Sequence, residues 1–333
     1  MKEEKISNTV SNAEINKSGT EDAATNTKSY KLEFFGKGSE FFKITIVNWL
    51  LTLITLGIYF PWARVKQLKY IYGQTSLNNE RFHYSGTGWE LFLGFIKAIL
   101  LFIAWYFIIF LFGLINPIFA IIFIILSYVA IPPFFIHGSL KYSMSRTSYR
   151  GVRFGYRGNR GELIVKFLIG TFLTIITLGL YSSWFSMNIR KYTHENFRYG
   201  DIEFSNDCNG SDFFWIIIKG YFLTLITFGI YSFWFNRDLF NYYWNNLKMK
   251  KDEKNITCRS TATAGGFFEL ILVNLLIIIF TLGIGLPWVQ IRTNKFICDN
   301  VKLKGDIDID TVLQTEEEYI DATGEEAIDV FGV

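Results

Sequence analysis

The sequence predicts an all-α polytopic integral membrane protein, with about six transmembrane helices drawn from five internal repeat modules and short β-strands in the connecting segments. Three observations lead to this fold class. Half of the 333 residues are apolar, these residues are gathered in long blocks, and one string recurs along the chain. A helix needs about 20 apolar residues to cross the roughly 30 Å hydrocarbon core of a bilayer.

Six apolar blocks supply the predicted spans. Each is about as long as a crossing helix must be. Each also stays apolar on every helical face, which is unusual for a helix at the surface of a soluble protein. The blocks are residues 41–59, 91–114, 118–136, 163–181, 213–231 and 267–286.

The two ends of the chain are polar and are expected to lie outside the membrane. Residues 1–29 hold almost no large apolar side chain, so they are predicted to be a disordered tail that lacks the apolar stretch of a signal peptide. Residues 305–333 form an acidic tail. Two interpretations of the acidic tail stay open, a solvated segment and a docking segment for a basic partner. The transmembrane repeat domain is then residues 30–304.

The recurring string establishes the repeat. "LLTLITLGIY" at 50–59 returns as "FLTIITLGLY" at 172–181, "FLTLITFGIY" at 222–231 and "LIIIFTLGIG" at 276–285. A further copy is hidden, because residues 61–86 align with 133–158 at a shift of 72 while the start of that module aligns at a shift of 50. The 22-residue difference between these shifts is about 33 Å of helix. The second module is therefore predicted to contain one extra span, which turns near residues 113–117.

The five predicted modules are residues 36–86, 87–158, 159–210, 211–264 and 265–304. In each, an apolar helix is expected to end at Thr-Leu-Gly, where Gly can adopt a left-handed cap. Tyr59 and Trp62 follow at the expected membrane boundary, and a Phe-x-Tyr-x-Gly string after a basic segment suits a short strand. The repeated string is thus interpreted as the end of a span. An alternative stays open in which interrupted helices bring Thr hydroxyls to a polar path: Thr55, Thr177, Thr227 and Thr281.

The same residues carry a family resemblance. "EFFKITIVNWLLTLITLGIYFPWARVKQLKYIYG" and "RFHYSGTGWELF" resemble the bacterial inner-membrane family of unknown function typified by YjgN, over roughly residues 30–305. The resemblance implies a multi-pass protein of the bacterial inner membrane. It implies no reaction, because none is established for the family. The chain departs from the pattern at Gly285 in place of Tyr, and at Ser183 and Phe233 in place of Pro, so the later modules are expected to bend less sharply.

Catalytic and metal-binding patterns are sparse, so the chain is not expected to be an enzyme, to hold a cofactor or to bind nucleic acid. The histidines lie in separate predicted connections without metal-ligand spacing and are expected to be solvated. The cysteines form no Cys-x-x-Cys pair and signal neither a zinc site nor a disulfide framework. These six residues are His83, His137, His194, Cys208, Cys258 and Cys298.

Polar residues inside the predicted spans are the better candidates for function, since each is costly in hydrocarbon. Lys97 and Lys219 lie about two turns into their helices and are predicted either to reach the interface along their own stems or to contact a solute or lipid headgroup. Asn48 and Asn274 share one repeat column and are interpreted as hydrogen-bonding groups between helices before they are considered ligands.

Two functions follow as alternatives. The first is a transporter or channel for a small solute, which internal repeats and deep lysines favour. The second is a non-transporting scaffold that organises lipid or envelope proteins, which the aromatic and basic interfacial segments favour. Membrane lipids are the expected partners, and the oligomeric state stays open. The count of Lys and Arg favours both termini outside, although a basic flank after every span also fits re-entrant helices.

Overall fold

Ten β-strands form a closed antiparallel barrel in the part of the chain that the structure, a computed structural model, describes, residues 28–315. The prediction of an all-α protein with about six transmembrane helices is therefore wrong. Residues 1–27 and 316–333, which hold most of the two predicted tails, lie outside the described residues. Residues 28 and 29 of the predicted disordered tail are part of the first strand.

Each strand of the barrel pairs with its neighbours in sequence, and the first strand closes the barrel by pairing with the last. For example, Tyr30 lies opposite Leu303 across the closing pair. The strands are β1 Lys28–Phe34, β2 Thr75–Leu77, β3 Glu80–Tyr84, β4 Thr147–Tyr149, β5 Val152–Tyr156, β6 Phe197–Tyr199, β7 Ile202–Asn206, β8 Leu247–Lys251, β9 Lys254–Ser260 and β10 Val301–Gly305.

Five helix pairs rise from one end of the barrel within the described residues. An outgoing helix and a returning helix form each pair, and each helix contacts its neighbours along the chain until the last helix meets the first. We call this ring of helices the crown. The helices are α1 Gly38–Ile54, α2 Phe60–Gln74, α3 Gly88–Ile115, α4 Pro117–Ser145, α5 Arg160–Ile176, α6 Ser182–Glu195, α7 Gly210–Ile226, α8 Ser232–Asn245, α9 Ala264–Phe280 and α10 Leu286–Asn300.

The predicted number of spans was too high because an apolar turn was counted as helix. Four outgoing helices have 17 residues each, about 25 Å of rise, and the chain then turns back toward the barrel. Among the described residues, only α3 and α4 are long and apolar enough to cross a membrane by length and composition. In their most apolar stretches, α3 has no buried residue and α4 only a few, whereas a core helix of a soluble protein would be mostly buried.

The direction of the strands also corrects the prediction of which module ends lie on the same side. Because β3, β5 and β7 run parallel to one another through intervening antiparallel strands, the residues that follow them lie at one end of the barrel. Six spans would leave one crossing between Gly158 and Gly210 and would put these residues on opposite sides, so that expectation is wrong. In the described residues, every helix pair leaves the barrel and returns to it at this same end.

Apolar and aromatic side chains fill the barrel. A buried cluster contains Tyr149, Tyr199, Ile202 and Ile256, with Phe82, Phe154 and Phe204 among the side chains packed against it. The two tyrosine hydroxyls are satisfied inside the barrel wall, because Tyr149 donates to the carbonyl of Leu77 at 2.7 Å and Tyr199 to that of Tyr149 at 3.0 Å. The interior is a packed core.

The segment after β10 covers the end of the barrel that lies away from the crown. Ile307 is fully buried in the barrel core, and its carbonyl accepts a hydrogen bond from the hydroxyl of Tyr30. Further along, Gln314 Oε1 accepts the backbone N–H of Arg153 at 2.9 Å, and the hydroxyl of Thr315 donates to the carbonyl of Gly200 at 2.6 Å. The segment thus runs from the β1–β10 side to the turns near β5 and β6.

Candidate functional site

The four short helix pairs end in the same turn, which presents one large apolar side chain outward. In the first pair, α1 ends at Ile54 and the chain turns through Leu56 at φ 49° and Gly57 at φ 93°. The predicted helix end at Thr-Leu-Gly with a left-handed Gly is therefore confirmed. The outward side chains are more exposed than any other large apolar groups of the described residues: Leu56 93%, Leu178 94%, Phe228 98% and Leu282 91%.

These turns satisfy their own backbone donors. In the first pair, every N–H from Thr55 to Phe60 donates to an oxygen within the turn or the end of α1. The hydroxyl of Thr55 contributes twice, because it donates to the carbonyl of Leu51 at 2.8 Å and accepts the N–H of Tyr59 at 3.0 Å. An irregular turn can lie in hydrocarbon only if its polar backbone groups are paired internally, and the N–H groups of this turn meet that condition.

The equivalent threonines have the same role in the other short pairs, and this accounts for their fixed column in the sequence. Thr177 bridges Leu173 and Tyr181, Thr227 bridges Leu223 and Tyr231, and Thr281 bridges Ile277 and Gly285, with distances of 2.6–3.0 Å. Each hydroxyl is engaged within its own turn. The geometry supports the interpretation of these threonines as the end of a helix and offers no free hydroxyl for a polar path.

The two candidate asparagines lie between the helices of their pairs. Asn48 is buried and its Nδ2 donates to the carbonyl of Ala63 at 3.5 Å. Asn274 Nδ2 donates to the hydroxyl of Thr293 at 3.4 Å. Two other pairs carry Gly170 and Gly220 in this column, where an added Cβ would overlap the ring of a Phe on the returning helix. The column therefore sets how closely the two helices pack.

Lys97 and Lys219 lie on different helix pairs. Lys97 is half-buried on α3, and Lys219 is exposed on α7. Lys219 lines a shallow pocket between α7 and α8 that also contains Asp238, and the remaining lining residues are Trp215, Ile216, Gly220 and Tyr231. Asp238 Oδ1 accepts hydrogen bonds from Arg237 Nε at 2.9 Å and Nη2 at 2.6 Å. This pocket holds a cation and an anion beside apolar rings.

The long pair α3 and α4 differs from the short pairs at both ends. Its 28 and 29 residues correspond to about 42 Å of rise. At its far end Asn116 caps α4 by accepting the N–H of Ile118 at 2.9 Å, so a polar residue replaces the apolar side chain of the short turns. At the barrel end, Glu90 and Arg146 form a 3.0 Å ion pair that is largely shielded from solvent.

Sequence reasoning missed a tyrosine contact that joins the two ends of a pair at the barrel. The hydroxyl of Tyr192 accepts the N–H of Asn159 at 2.8 Å and donates to its carbonyl at 2.8 Å. Tyr70 and Tyr242 make the same two bonds to Lys37 and Asn209. The signal was present, because a Tyr recurs at this column in four modules and Phe296 replaces it in the fifth.

The predicted solvated histidines are only partly correct. His83 is exposed on β3, but His137 is buried on α4 and His194 lies near the end of α6. His194 Nδ1 is 2.6 Å from Asn206 Nδ2. Burial, together with the nearby Arg190, lowers the pKa of His194 to about 4. The three cysteines are buried and free, and residues 28–315 contain no group of side chains arranged to hold a metal ion.

Comparisons with known proteins extend these observations. A family model described as bacterial protein of unknown function (DUF898) matches residues 29–214 and 235–330. The protein named Inner membrane protein YjgN of Salmonella typhimurium is 38% identical over 138 residues, which cover 39% of this chain and 32% of that protein. Its namesake of Escherichia coli strain K12 is 36% identical over 133 residues, 38% of this chain and 31% of that protein.

The matched segments thus span about a third of the length of these curated relatives. No solved structure matches the chain. The family resemblance predicted from the repeated motifs is confirmed.

Proposed function

The chain belongs to the bacterial family that this model describes, and on that premise we propose that it is an inner-membrane protein whose crown enters the bilayer from the side of the barrel. The names of its relatives support the location, since they are called inner membrane proteins. The length and exposure of α3 and α4 support a single hairpin that crosses the membrane. The first four modules are then repeats of one unit, a helix pair followed by a strand hairpin, and in the fifth module the helix pair is followed by β10, which pairs with β1.

One observation carries the proposal: the residues that occupy the left-handed region at the ends of the short pairs. A left-handed backbone costs a non-glycine residue roughly 1 kcal/mol, and Asn or Gly adopts it most readily. The turns of the barrel place glycine or polar residues there: Asn78, Asn79, Arg150, Gly151, Gly200 and Asp252. The crown instead places Leu or Phe there, almost fully exposed. Such a choice is unfavourable in water and favourable in hydrocarbon.

Helix length supports two depths of insertion. The outgoing helices of the short pairs rise about 25 Å, less than the roughly 30 Å hydrocarbon core, and they end in an apolar, internally bonded turn. The long pair rises about 42 Å and ends at Asn116. We therefore assign the four short turns to the interior of the bilayer and the Asn116 turn to the opposite surface.

The distribution of charge supports a cytoplasmic barrel. All strand connections lie at the barrel, so the basic segments that follow the helices share one side of the membrane. Basic residues near membrane helices favour the cytoplasm. The expectation of both termini outside depended on six crossings and is replaced by this orientation, since β1 and β10 belong to the same barrel.

The role that we propose is a non-transporting one, in which the crown organises lipid around a barrel held at the membrane surface. The filled barrel and the segment that covers its far end support this choice, because neither leaves a path for a solute along the barrel axis. Eight of the ten described helices belong to short pairs. A crown of this shape would displace lipid mainly from one leaflet.

Cysteine labelling tests the insertion. Single cysteines at Ser85, Arg157 and Asn209, in a background without the three native cysteines, are treated with a membrane-impermeant thiol reagent in intact cells and in inverted vesicles. We expect all three to react only in inverted vesicles, because they are exposed at the crown end of the barrel. Labelling of position 209 from the side opposite to 85 would restore a crossing between them and would refute the proposal.

Two further cysteine positions test the two proposed depths of insertion. A cysteine at Asn116 should react in intact cells, because the long pair emerges there. A cysteine at Phe228 should react from neither side of the membrane yet react after solubilisation in denaturant. Reaction of position 228 in intact cells or inverted vesicles would place that turn in water and would contradict half insertion.

The pocket of Lys219 and Asp238 supports a second candidate, a transporter or channel for a small polar solute. A charge pair beside aromatic rings can contact both charges of a zwitterionic group. Lys97→Leu and Lys219→Leu distinguish the two functions. A transporter that uses these charges would lose solute flux in vesicles while inserting normally. Unchanged flux in both variants would leave the non-transporting role as the better account.

A further inference from the structure

Four of the five returning helices carry a lysine at the same level. Lys69 in α2, Lys191 in α6 and Lys295 in α10 each lie nine residues after the first residue of their helix. Lys141 of α4 occupies the aligned position, and α8 has Asn241 there. Lys69, Lys191 and Lys295 are exposed. We call these four lysines the lysine ring.

Two lysines of the ring lie near residues that contact an outgoing helix. Lys191 lies seven residues after Trp184, and residues seven apart share a helix face about 10 Å apart. The ring of Trp184 packs on Phe214 of α7 with centroids 5.1 Å apart. In the last pair, Lys295 lies three residues after Arg292, whose guanidinium is 3.7 Å from Glu269 of α9. Lys191 and Lys295 are therefore exposed on the crown close to outgoing helices.

The depth of the lysine ring matches a headgroup layer. Nine residues of helix rise about 14 Å, which is close to half of the roughly 30 Å hydrocarbon core. With the short turns near the centre of the bilayer, the lysines lie where phosphates begin. Lys191 Nζ lies 3.8 Å from Glu195 Oε1, and both side chains stay about half exposed.

From this geometry we infer that the lysine ring binds the phosphates of anionic phospholipid headgroups. The inference rests on the proposed insertion of the crown and names the lipid class that it organises. A basic residue near an anionic membrane surface strengthens binding about fivefold. The ring should thus select phosphatidylglycerol over phosphatidylcholine, which carries no net charge.

Native mass spectrometry of the full chain in mild detergent tests this inference, with phosphatidylglycerol and phosphatidylcholine as the two probes. Lys69→Gln, Lys191→Gln and Lys295→Gln together should lower the preference for phosphatidylglycerol on the order of 100-fold. The matched control removes three exposed lysines near the far end of the barrel: Lys250→Gln, Lys254→Gln and Lys304→Gln. This control should keep the preference of the parent chain.

A variant that adds a lysine keeps the test decisive even if the triple variant misfolds. Asn241→Lys completes the ring and should raise the preference for phosphatidylglycerol about fivefold. The inference is overturned if Asn241→Lys has no effect, or if the triple variant and the barrel control behave alike. Its failure is distinguishable from that of the proposed function, because cysteine labelling reports insertion in the same variants without reference to lipid class.

Discussion

The hydroxyl at the end of each short helix pair offers the most direct test of how the crown is built. In the pair α7 and α8, Thr227 Oγ1 donates to the carbonyl of Leu223 at 2.7 Å and accepts the N–H of Tyr231 at 2.9 Å. Thr227→Val keeps the shape of the side chain and removes both bonds. The N–H of Tyr231 then has no partner in an apolar environment, which costs about 1–3 kcal/mol.

The expected net loss is about 1–2 kcal/mol of unfolding free energy, because the variant also removes a polar hydroxyl that the fold no longer has to bury. The measurement is denaturation of the purified chain in detergent micelles, followed by circular dichroism. Thr227→Ser keeps the hydroxyl and should lose less than Thr227→Val.

A second threonine of the same helix supplies a control, for which no loss of unfolding free energy is expected. Thr224 lies one turn earlier, and its hydroxyl is buried without a hydrogen-bond partner among the described residues. Thr224→Val should therefore be neutral or stabilising, since replacing an unsatisfied buried polar group by an apolar one removes a penalty. Equal stability of Thr227→Val and Thr227→Ser would refute the capping role. A loss at Thr224 as large as that at Thr227 would show that the methyl-for-hydroxyl exchange itself is responsible.

Three further predictions concern the barrel end and the helix interface. Tyr192→Phe should lose about 1 kcal/mol of unfolding free energy by removing two backbone bonds, whereas Phe296→Leu, which removes no hydroxyl, should leave the hydrogen-bond network unchanged in amide exchange. Gly170→Asn should destabilise the chain by overlap with Phe185, and Phe185→Ala in the same chain should recover part of the loss in thermal unfolding. Because the pKa of His194 is about 4 in the folded chain and 6.5 for an unperturbed histidine, the unfolded chain binds one more proton than the folded chain between these pH values. Stability should then fall as pH decreases from about 6.5 to 4, and His194→Gln should flatten that slope in denaturation at several pH values.

The sequence predicted local structure correctly where a residue type has a single physical role. The Thr-Leu-Gly column predicted the end of a helix with a left-handed Gly, and the structure has that turn in four pairs. Asn48 was predicted to be a packing residue, and it lies buried against Ala63. Both predictions rest on local chemistry, which does not depend on where distant segments lie.

The barrel was not predictable in the same way, because its strands are short and join residues far apart in the chain. Strands β2, β4 and β6 have three residues each, too few for an alternating pattern to stand out. Closure also depends on the pairing of β1 with β10, a contact that only the whole topology fixes. The short strands were therefore predicted at the correct positions, near Phe-x-Tyr-x-Gly, but their pairing into a sheet was not predicted.

The error in the number of spans has a specific physical origin, and it connects sequence to depth. Composition treats Leu56 and Leu53 alike, yet one belongs to a left-handed turn and the other to a helix. An apolar turn lengthens a 17-residue helix into a block of the size that a full crossing needs. The residue at the turn differs between the two kinds of pair: an exposed Leu or Phe ends each short pair, and Asn116 ends the outgoing part of the longer one. Under the proposed insertion, that residue together with helix length, rather than block length alone, separates a half-inserted pair from one that crosses.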